Sequence, residues 1–371
     1  MATPEDNARQ HPSPAQTRAL GQARELLLRA IAERVFPGCA YGVLANDAIV
    51  ACEGLGGFTY EPDAPRVTAE TVFDVASLTK VVATTTMAML LAERGQLDLE
   101  MPLGEILPGF VVGRADTRWA RAVTLRHLLA HNSGLPGYRP LFREAGNAGE
   151  ILRACLSMPL EAPPGERAEY SDHGFILLGK ALEVLAQQRL DRWTQREIFA
   201  PLAMRDTGYS PAPARRTAIP PTEIDRTLRQ RIIQGEVQDE HAWRMGGVAG
   251  HAGLFSNVGD LLRFSAAILA PERVRLVQRQ SLDLFARPQP PSGSSRALGW
   301  DTPSTPSSSG TRFSAGSIGH LGYSGCSLWL DREARIGIVL LTNRTWPDRA
   351  NDAIRTLRPA FHDAVRTALH P

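Results

Sequence analysis

The sequence predicts an α+β fold, with strands at both ends of the chain and helices between them. Three observations carry this. Residues 40–45 and 48–52 are apolar runs separated by Asn46-Asp47, a two-residue hairpin signal. Residues 327–330 and 336–341 form a second apolar pair across the charged turn 331–335. Between the two pairs, residues 105–250 carry the longer apolar spacing of helices, separated by long loops. The economical architecture is one antiparallel sheet built from both ends of the chain, flanked by N- and C-terminal helices, with a mostly helical region inserted. The expected organisation is a flexible tail at 1–15, a discontinuous α/β sheet unit at 16–104 and 255–371, and an inserted helical unit at 105–254. The active site is expected between the two units.

The elements follow in order. Residues 17–35 read as a helix, which Pro37-Gly38 ends. After the first hairpin, 54–65 is rich in turn residues. A long apolar helix pattern covers 81–91 and ends near Gly95. Residues 125–129 predict a short helix before the turn Asn132-Ser133-Gly134-Leu135-Pro136-Gly137, and 175–190 and 193–199 predict two more. Residues 205–245 and 289–312 read as loops. Residues 246–255 are rich in glycine and alanine, as where a backbone runs close to another part of the molecule. Residues 258–269 and 349–369 predict the last helices. There is no internal repeat.

Composition narrows the function. The chain has 371 residues, 43% hydrophobic and 22% charged, with a net charge of +2. No basic run stands out, which argues against a nucleic acid or an anionic membrane surface as partner. No apolar run is long enough for a membrane span. Cys39, Cys52, Cys155 and Cys326 form no CxxC pair and suggest reduced thiols. The N-terminal stretch lacks the apolar core of a signal peptide, so a cytoplasmic location is expected.

The chemistry starts at Ser77-Leu78-Thr79-Lys80. Three residues apart on a helix, Ser77 and Lys80 share one face and can touch, a nucleophile beside a base. The chain has 41 Lys plus Arg, yet only Lys80 and Lys180 are lysines. Arginine cannot give up its proton near neutral pH, whereas lysine can. A lysine kept where a base is useful is therefore informative. Deprotonating an ordinary lysine at pH 7 costs about 4–5 kcal/mol, so burial or a nearby cation is expected to lower its pKa. A proton shuttle is expected at Tyr170-Ser171-Asp172, which opens the 175–190 helix; the same residues also read as a helix N-cap. The third piece is Gly319-His320-Leu321-Gly322-Tyr323-Ser324-Gly325, at the edge of the C-terminal strands. There His320 would give substrate or Tyr170 a hydrogen bond or a cation.

Ser-x-x-Lys, then Tyr-x-Asn, then Lys-Thr-Gly is the signature of the serine β-lactamase and penicillin-binding superfamily. This chain resembles its class C branch over roughly residues 20–365, and the loop His127-Leu128-Leu129-Ala130-His131-Asn132-Ser133-Gly134 is also similar. The resemblance implies a β-lactamase/transpeptidase-like fold. It implies Ser77 as the acylated nucleophile, Lys80 as its base and Tyr170 as the donor to the leaving group. The oxyanion hole would be the backbone N–H groups of Ser77 and Tyr323. Two departures stand out: Asp172 replaces the asparagine, and His320-Leu321-Gly322 replaces Lys-Thr-Gly. Both resemble a subgroup of muramyl-peptide amidases and penicillin-binding-like hydrolases, which also carries segments similar to 235–243 and 246–256. Asp172, His320, Gly322, Asp239, His241 and His251 are then the expected substrate-binding residues, the last three on loops at the cleft.

Other chemistries fit less well. His127 and His131 stand at i,i+4 but lack the glutamate of a zinc protease helix, and no other His/Cys cluster is visible in the sequence. No metal or cofactor is expected. The nearest match to Gly-x-Ser-x-Gly ends in Cys326. The expected partner is a small amide or ester substrate. A muramyl-peptide amidase heads the readings, ahead of a carboxylesterase, a β-lactamase or D-alanyl-D-alanine carboxypeptidase, and a non-catalytic penicillin-binding-like sensor.

Overall fold

The computed structural model describes residues 14–369. The tail expected at 1–15 lies outside these residues except for Pro14 and Ala15, with which the first helix begins. That helix, α1 (Pro14–Ala32), leads into β1 (Gly38–Ala45) and β2 (Ala48–Gly56). Asn46 and Asp47 both have positive φ, 49° and 68°, the backbone that a tight hairpin turn requires. Past Ser77, a π-helical segment Lys80–Thr85 continues into α2 (Thr86–Glu93). The later elements that position the site are α3 (Asp172–Ala186), α4 (Glu240–Arg244), α5 (Val258–Leu269), β3 (Ile318–Leu321), β4 (Ser327–Asp331), β5 (Ile336–Thr342) and α6 (Ile354–Leu369). The last helix starts five residues later than its apolar spacing predicts.

The two ends of the chain share one antiparallel sheet in the order β2-β1-β5-β4-β3. The central seam pairs β1 with β5 from Cys39↔Thr342 to Ala45↔Ile336. Side chains alternate across it. Tyr41, Val43, Ile338 and Leu340 join Leu20, Leu27, Phe361 and Val365 of α1 and α6 in one buried cluster. Ala40, Leu44, Val339 and Leu341 face α5 in another, with Leu261 and Leu262. The period of two thus meets helices on both faces, which is why these strands read as continuous apolar runs.

The second cluster does not stop at the sheet. It runs through α5 and α2 into the helices of 103–199, including Leu125, Leu129, Phe175, Leu178 and Phe199. Sheet and helical region therefore share a continuous core. Much of the 205–245 stretch departs from the loop expectation: besides α4, Gly208 and Tyr209 pair with Phe255 and Leu254. Strands Pro221–Asp225 and Arg231–Gln234 form a hairpin. Its turn is held by Asp225, whose carboxylate accepts the N–H groups of Thr227, Leu228 and Arg229. A strand that opens on proline and alternates charged with apolar residues gives little pattern to read. The hairpin braces the segment before α4, where Gln238 Nε2 donates to Glu223 at 3.1 Å.

Candidate active site

Ser77 stands where a strand turns abruptly into a helix. Phe73 and Asp74 pair with Phe255 and Ser256 in a small separate sheet. Ala76 then takes φ +47°, a left-handed backbone that a side chain disfavours. Buried Asp74 holds this turn in place. Its Oδ1 accepts the Ala76 N–H at 2.9 Å and its Oδ2 accepts the Gln238 N–H at 2.7 Å. Burial pushes the Asp74 carboxyl up to about 6 against the pull of those two donors. The chain then winds up at once: Leu78, Thr79 and Lys80 N–H donate to the carbonyls of Val75, Ala76 and Ser77. The Ser77 N–H precedes that ladder, among the groups a helix start leaves unused.

Lys80 is fully buried, with its ammonium at the centre of the site. It donates to Ser77 Oγ at 3.0 Å, to Asp172 Oδ1 at 2.6 Å and to the His251 carbonyl at 2.9 Å. An ammonium has three protons, and these acceptors match all three. Burial alone would lower its pKa, as the sequence suggests. The carboxylate of Asp172 and the phenol of Tyr170 outweigh burial, and the net displacement is upward. The expectation of a depressed lysine is thus reversed by the aspartate that replaces asparagine. Tyr170 faces the same two groups, its ring centroid 4.9 Å from the ammonium. Burial raises the Tyr170 phenol above its ordinary range, partly offset by Lys80.

The N-cap reading of 170–172 holds. Ser171 caps α3, accepting from Gly174 N at 3.3 Å and donating to the Pro136 carbonyl at 2.7 Å. Asp172, the first helical residue, is thereby aimed at Lys80. His131 Nδ1 accepts the Ser171 N–H at 3.0 Å, and its ring stacks on Phe175 and lies tilted against Tyr170. His127 closes the capping box of its own short helix with Thr124. The histidine pair that resembles a metal motif is therefore occupied with holding helix starts.

Strand β3 forms the opposite wall. His320 Nδ1 lies 2.8 Å from the Leu321 carbonyl, so it carries the proton and Nε2 is a bare acceptor. That Nε2 has no partner. Burial, together with the charges of Lys80 and Arg296, keeps the ring well below the ordinary histidine range. His320 is a neutral acceptor in the cleft, and the cation envisaged from the sequence is disfavoured. A Cβ on Gly322 would lie 2.6 Å from the Val75 carbonyl, so glycine is required for the β3 turn to touch the Ser77 segment. Ser324 Oγ ties the two together by donating to the Asp74 carbonyl at 2.8 Å. The turn closes with Gly325 N–H to Gly322 O, leaving the Tyr323 N–H outside its own hydrogen bond.

These walls enclose a cleft of about 600 Å³ lined by Ser77, Tyr170, Asp172, Asp239, His320 and Tyr323 among others. Its far end is basic. Arg344 and Arg358, each 8% exposed, reach only main-chain carbonyls: those of Tyr323, Arg349 and Asn351 for the first, of Gly322 and Cys326 for the second. Among the described residues neither has a carboxylate partner. Burial, with the charge of neighbouring arginines, pushes Arg358 down to about 10. Behind the other wall, Asp239 meets His251 Nε2 at 2.8 Å and caps α4 through the Ala242 N–H. Asp239 lines the cleft, while His241 and His251 are buried behind it. Burial pushes His241 down to about 4.

The Beta-lactamase family model matches residues 23–360. The chain belongs to the β-lactamase family. An N-acetylmuramyl-L-alanine amidase of Bacillus subtilis (strain 168) is 30% identical, the match covering 88% of this chain and 81% of the relative. A protein of Escherichia coli (strain K12) named as a candidate D-alanyl-D-alanine carboxypeptidase is also 30% identical, over 75% of this chain and 70% of the relative. Among solved structures, EstCE1, a hydrolase with promiscuous acyltransferase activity, superposes with a TM-score of 0.78 at 20% identity, over 97% of this chain and all of the other. That likeness speaks for the fold. The protein is a β-lactamase-fold serine hydrolase.

Within this family fold, the structure brings Ser77, Lys80, Tyr170, Asp172, His320, Gly322 and Tyr323 to one cleft. Asp74, Arg344 and Arg358 were not visible in the sequence as site residues. A lone aspartate and two of many arginines carry no spacing signal; only the strained turn at Ala76 and the missing acid partners single them out. No helix among the described residues is long and apolar enough to cross a membrane.

Proposed function

We propose that this hydrolase cleaves the amide bond between an N-acylated muramyl lactyl group and the first residue of its peptide, through an acyl-enzyme on Ser77. The observation that carries the serine chemistry is the 3.0 Å contact between Lys80 Nζ and Ser77 Oγ, with Asp172 at 2.6 Å on the same ammonium. As an ammonium, Lys80 donates to Ser77 and cannot accept from it. The nearest proton acceptor is Asp172. Passing one proton to Asp172 leaves a neutral amine, which takes the Ser77 proton as Oγ attacks the substrate carbonyl. The oxyanion is held by the N–H groups of Ser77 and Tyr323; one such donor is worth about 3–4 kcal/mol. Tyr170 gives its proton to the leaving nitrogen, the amine departs, and water then attacks the acyl-serine by the reverse proton path.

The substrate class rests on the amidase relative and on the cleft. A muramyl peptide carries carboxylates on its peptide part, and Arg344 and Arg358 are buried cations without an acid. His320 Nε2 accepts an amide N–H or a sugar hydroxyl, whereas a lysine there would clamp a carboxylate beside the scissile bond. This favours a muramyl amide over a penicillin or a D-alanyl-D-alanine terminus. Ester hydrolysis requires no more than the acylating serine and is the second reading.

The test is side-by-side turnover of MurNAc-L-Ala-D-isoGln, a D-alanyl-D-alanine tripeptide, nitrocefin and a nitrophenyl ester, with Ser77→Ala as control. The expected result is fastest cleavage of the muramyl amide, abolished in the control. Strong nitrocefin or tripeptide turnover without muramyl cleavage overturns the substrate class. Failure of every substrate and of a fluorophosphonate to acylate Ser77 overturns the mechanism.

A further inference from the structure

We propose that Asp239, His241 and His251 form a binding site for a divalent transition-metal ion, zinc by the chemistry of the set. Asp239 and His241 belong to the start of α4 and His251 to the glycine-rich turn before Leu254. The fold brings one donor atom of each to within 4.8 Å of the others. In a tetrahedral zinc site, with metal–donor distances of about 2.0–2.2 Å, donors stand roughly 3.3 Å apart. Small side-chain rotations close the difference.

The second observation is what His241 lacks. Its side chain is almost wholly buried, at 1% exposure, and neither Nδ1 nor Nε2 has a partner. One of those nitrogens must carry a proton and the other a lone pair, and each unmet buried group costs about 1–3 kcal/mol. Its neighbours are ring edges: Phe142 at 5.2 Å, His173 at 5.6 Å and Tyr138 at 5.9 Å between centroids. A position that only needed filling would be better served by a phenyl ring. His251 Nδ1 is likewise buried and unpartnered. Asp239 spends both of its contacts, to Ala242 N and His251 Nε2, on Oδ1. Three donors thus converge with unused capacity.

Two imidazoles and one carboxylate suit zinc or its first-row neighbours; magnesium and calcium prefer all-oxygen sets. Three protein ligands leave a fourth position for water. The bound ion would lock α4 to the glycine-rich turn, fixing the cleft wall at Asp239 and the His251 carbonyl that holds Lys80 at 2.9 Å. The site stands independently of the acyl-serine reading.

The experiment uses the full chain without a histidine tag, stripped with a chelator and then loaded with zinc or cobalt. Expected are one zinc per chain by native mass spectrometry and the visible bands of four-coordinate cobalt. X-ray absorption at the zinc edge should show two imidazole nitrogens. His241→Phe and His251→Gln, checked for folding by circular dichroism, should lose the cobalt bands, while Ser77→Ala keeps them. Failure of the parent chain to take up either ion overturns the site. So does uptake that survives both histidine variants, or an absorption spectrum with no imidazole, a readout that needs no variant to fold.

Discussion

Asp172 sets the protonation of the group beside the nucleophile. Its carboxylate is the largest influence raising Lys80 against burial. The amine acts as base only after losing a proton, so the rate should climb with pH through the alkaline range, where the raised lysine titrates. Asp172→Asn removes that influence and leaves burial dominant, which lowers the Lys80 pKa. The ascending limb of kcat/KM against pH should therefore move to lower pH in the variant. Its plateau, where the amine is already neutral in both proteins, should stay within roughly a few-fold of the parent's. A pH profile on an activated ester reads both effects. An ascending limb that stays put or moves to higher pH would sink the relay through Asp172. At this scale the nucleophile, the lysine and the tyrosine were legible, since each sits in a motif of fixed spacing. The state of the lysine was not, because it depends on a carboxylate 92 positions away in sequence reaching it at 2.6 Å.

Among the elements, the glycine-rich turn has the clearest packing demand. A Cβ on Gly250 would lie 2.2 Å from the Phe175 carbonyl and 2.9 Å from Gly179 Cα, so the turn lies directly on the backbone of α3. The Gly250 carbonyl in turn accepts the Thr84 hydroxyl at 2.7 Å, binding the turn to the helix that carries Lys80. The sequence signals a close approach by its run of small residues; the partner surface, a glycine on a helix, has no pattern of its own. Gly250→Ala should destabilise the protein by about 1–3 kcal/mol and, by shifting the adjacent His251 carbonyl, slow acylation of Ser77. Gly21→Ala, in α1 with nothing within 4 Å of the added carbon, should instead stabilise by about 0.5–1 kcal/mol. Calorimetric Tm values of the two variants test the pair; a Gly250→Ala protein as stable as its parent would contradict the packing described. The hairpin at 221–234 shows the opposite failure of legibility. Its stability comes from Asp225 and from pairing, not from an apolar period.

Taken whole, the molecule has an acid weakness written into its histidines. Among the described residues, six of the seven histidines are buried. Burial lowers the pKa of His131, His173, His241, His320 and His362, the third to about 4 and the last to about 3. Once unfolded, each returns toward its ordinary pKa of about 6.5. Between those values the unfolded chain binds more protons, so stability falls as pH drops from about 6.5 toward 4. Asp74 acts the other way. Its folded carboxyl, at about 6, holds a proton that the unfolded one releases, so this group adds stability on acidification over the same range. Burial raises the Glu240 and Asp260 carboxyls in the same sense. Three carboxyls against five imidazoles leave the histidines dominant, and the Tm of the metal-free protein should fall from pH 7 to pH 4.5. His362 isolates the effect. It does not line the cleft, and bridges Ser327 Oγ at 3.0 Å and the Ser308 carbonyl at 3.2 Å between β4 and α6. In His362→Gln the slope of unfolding free energy against pH between 6 and 4.5 should flatten by up to about 1.4 kcal/mol per pH unit, one proton's worth. Denaturant titrations across that range measure the slope, and one unchanged from the parent would mean that His362 is already protonated in the native state.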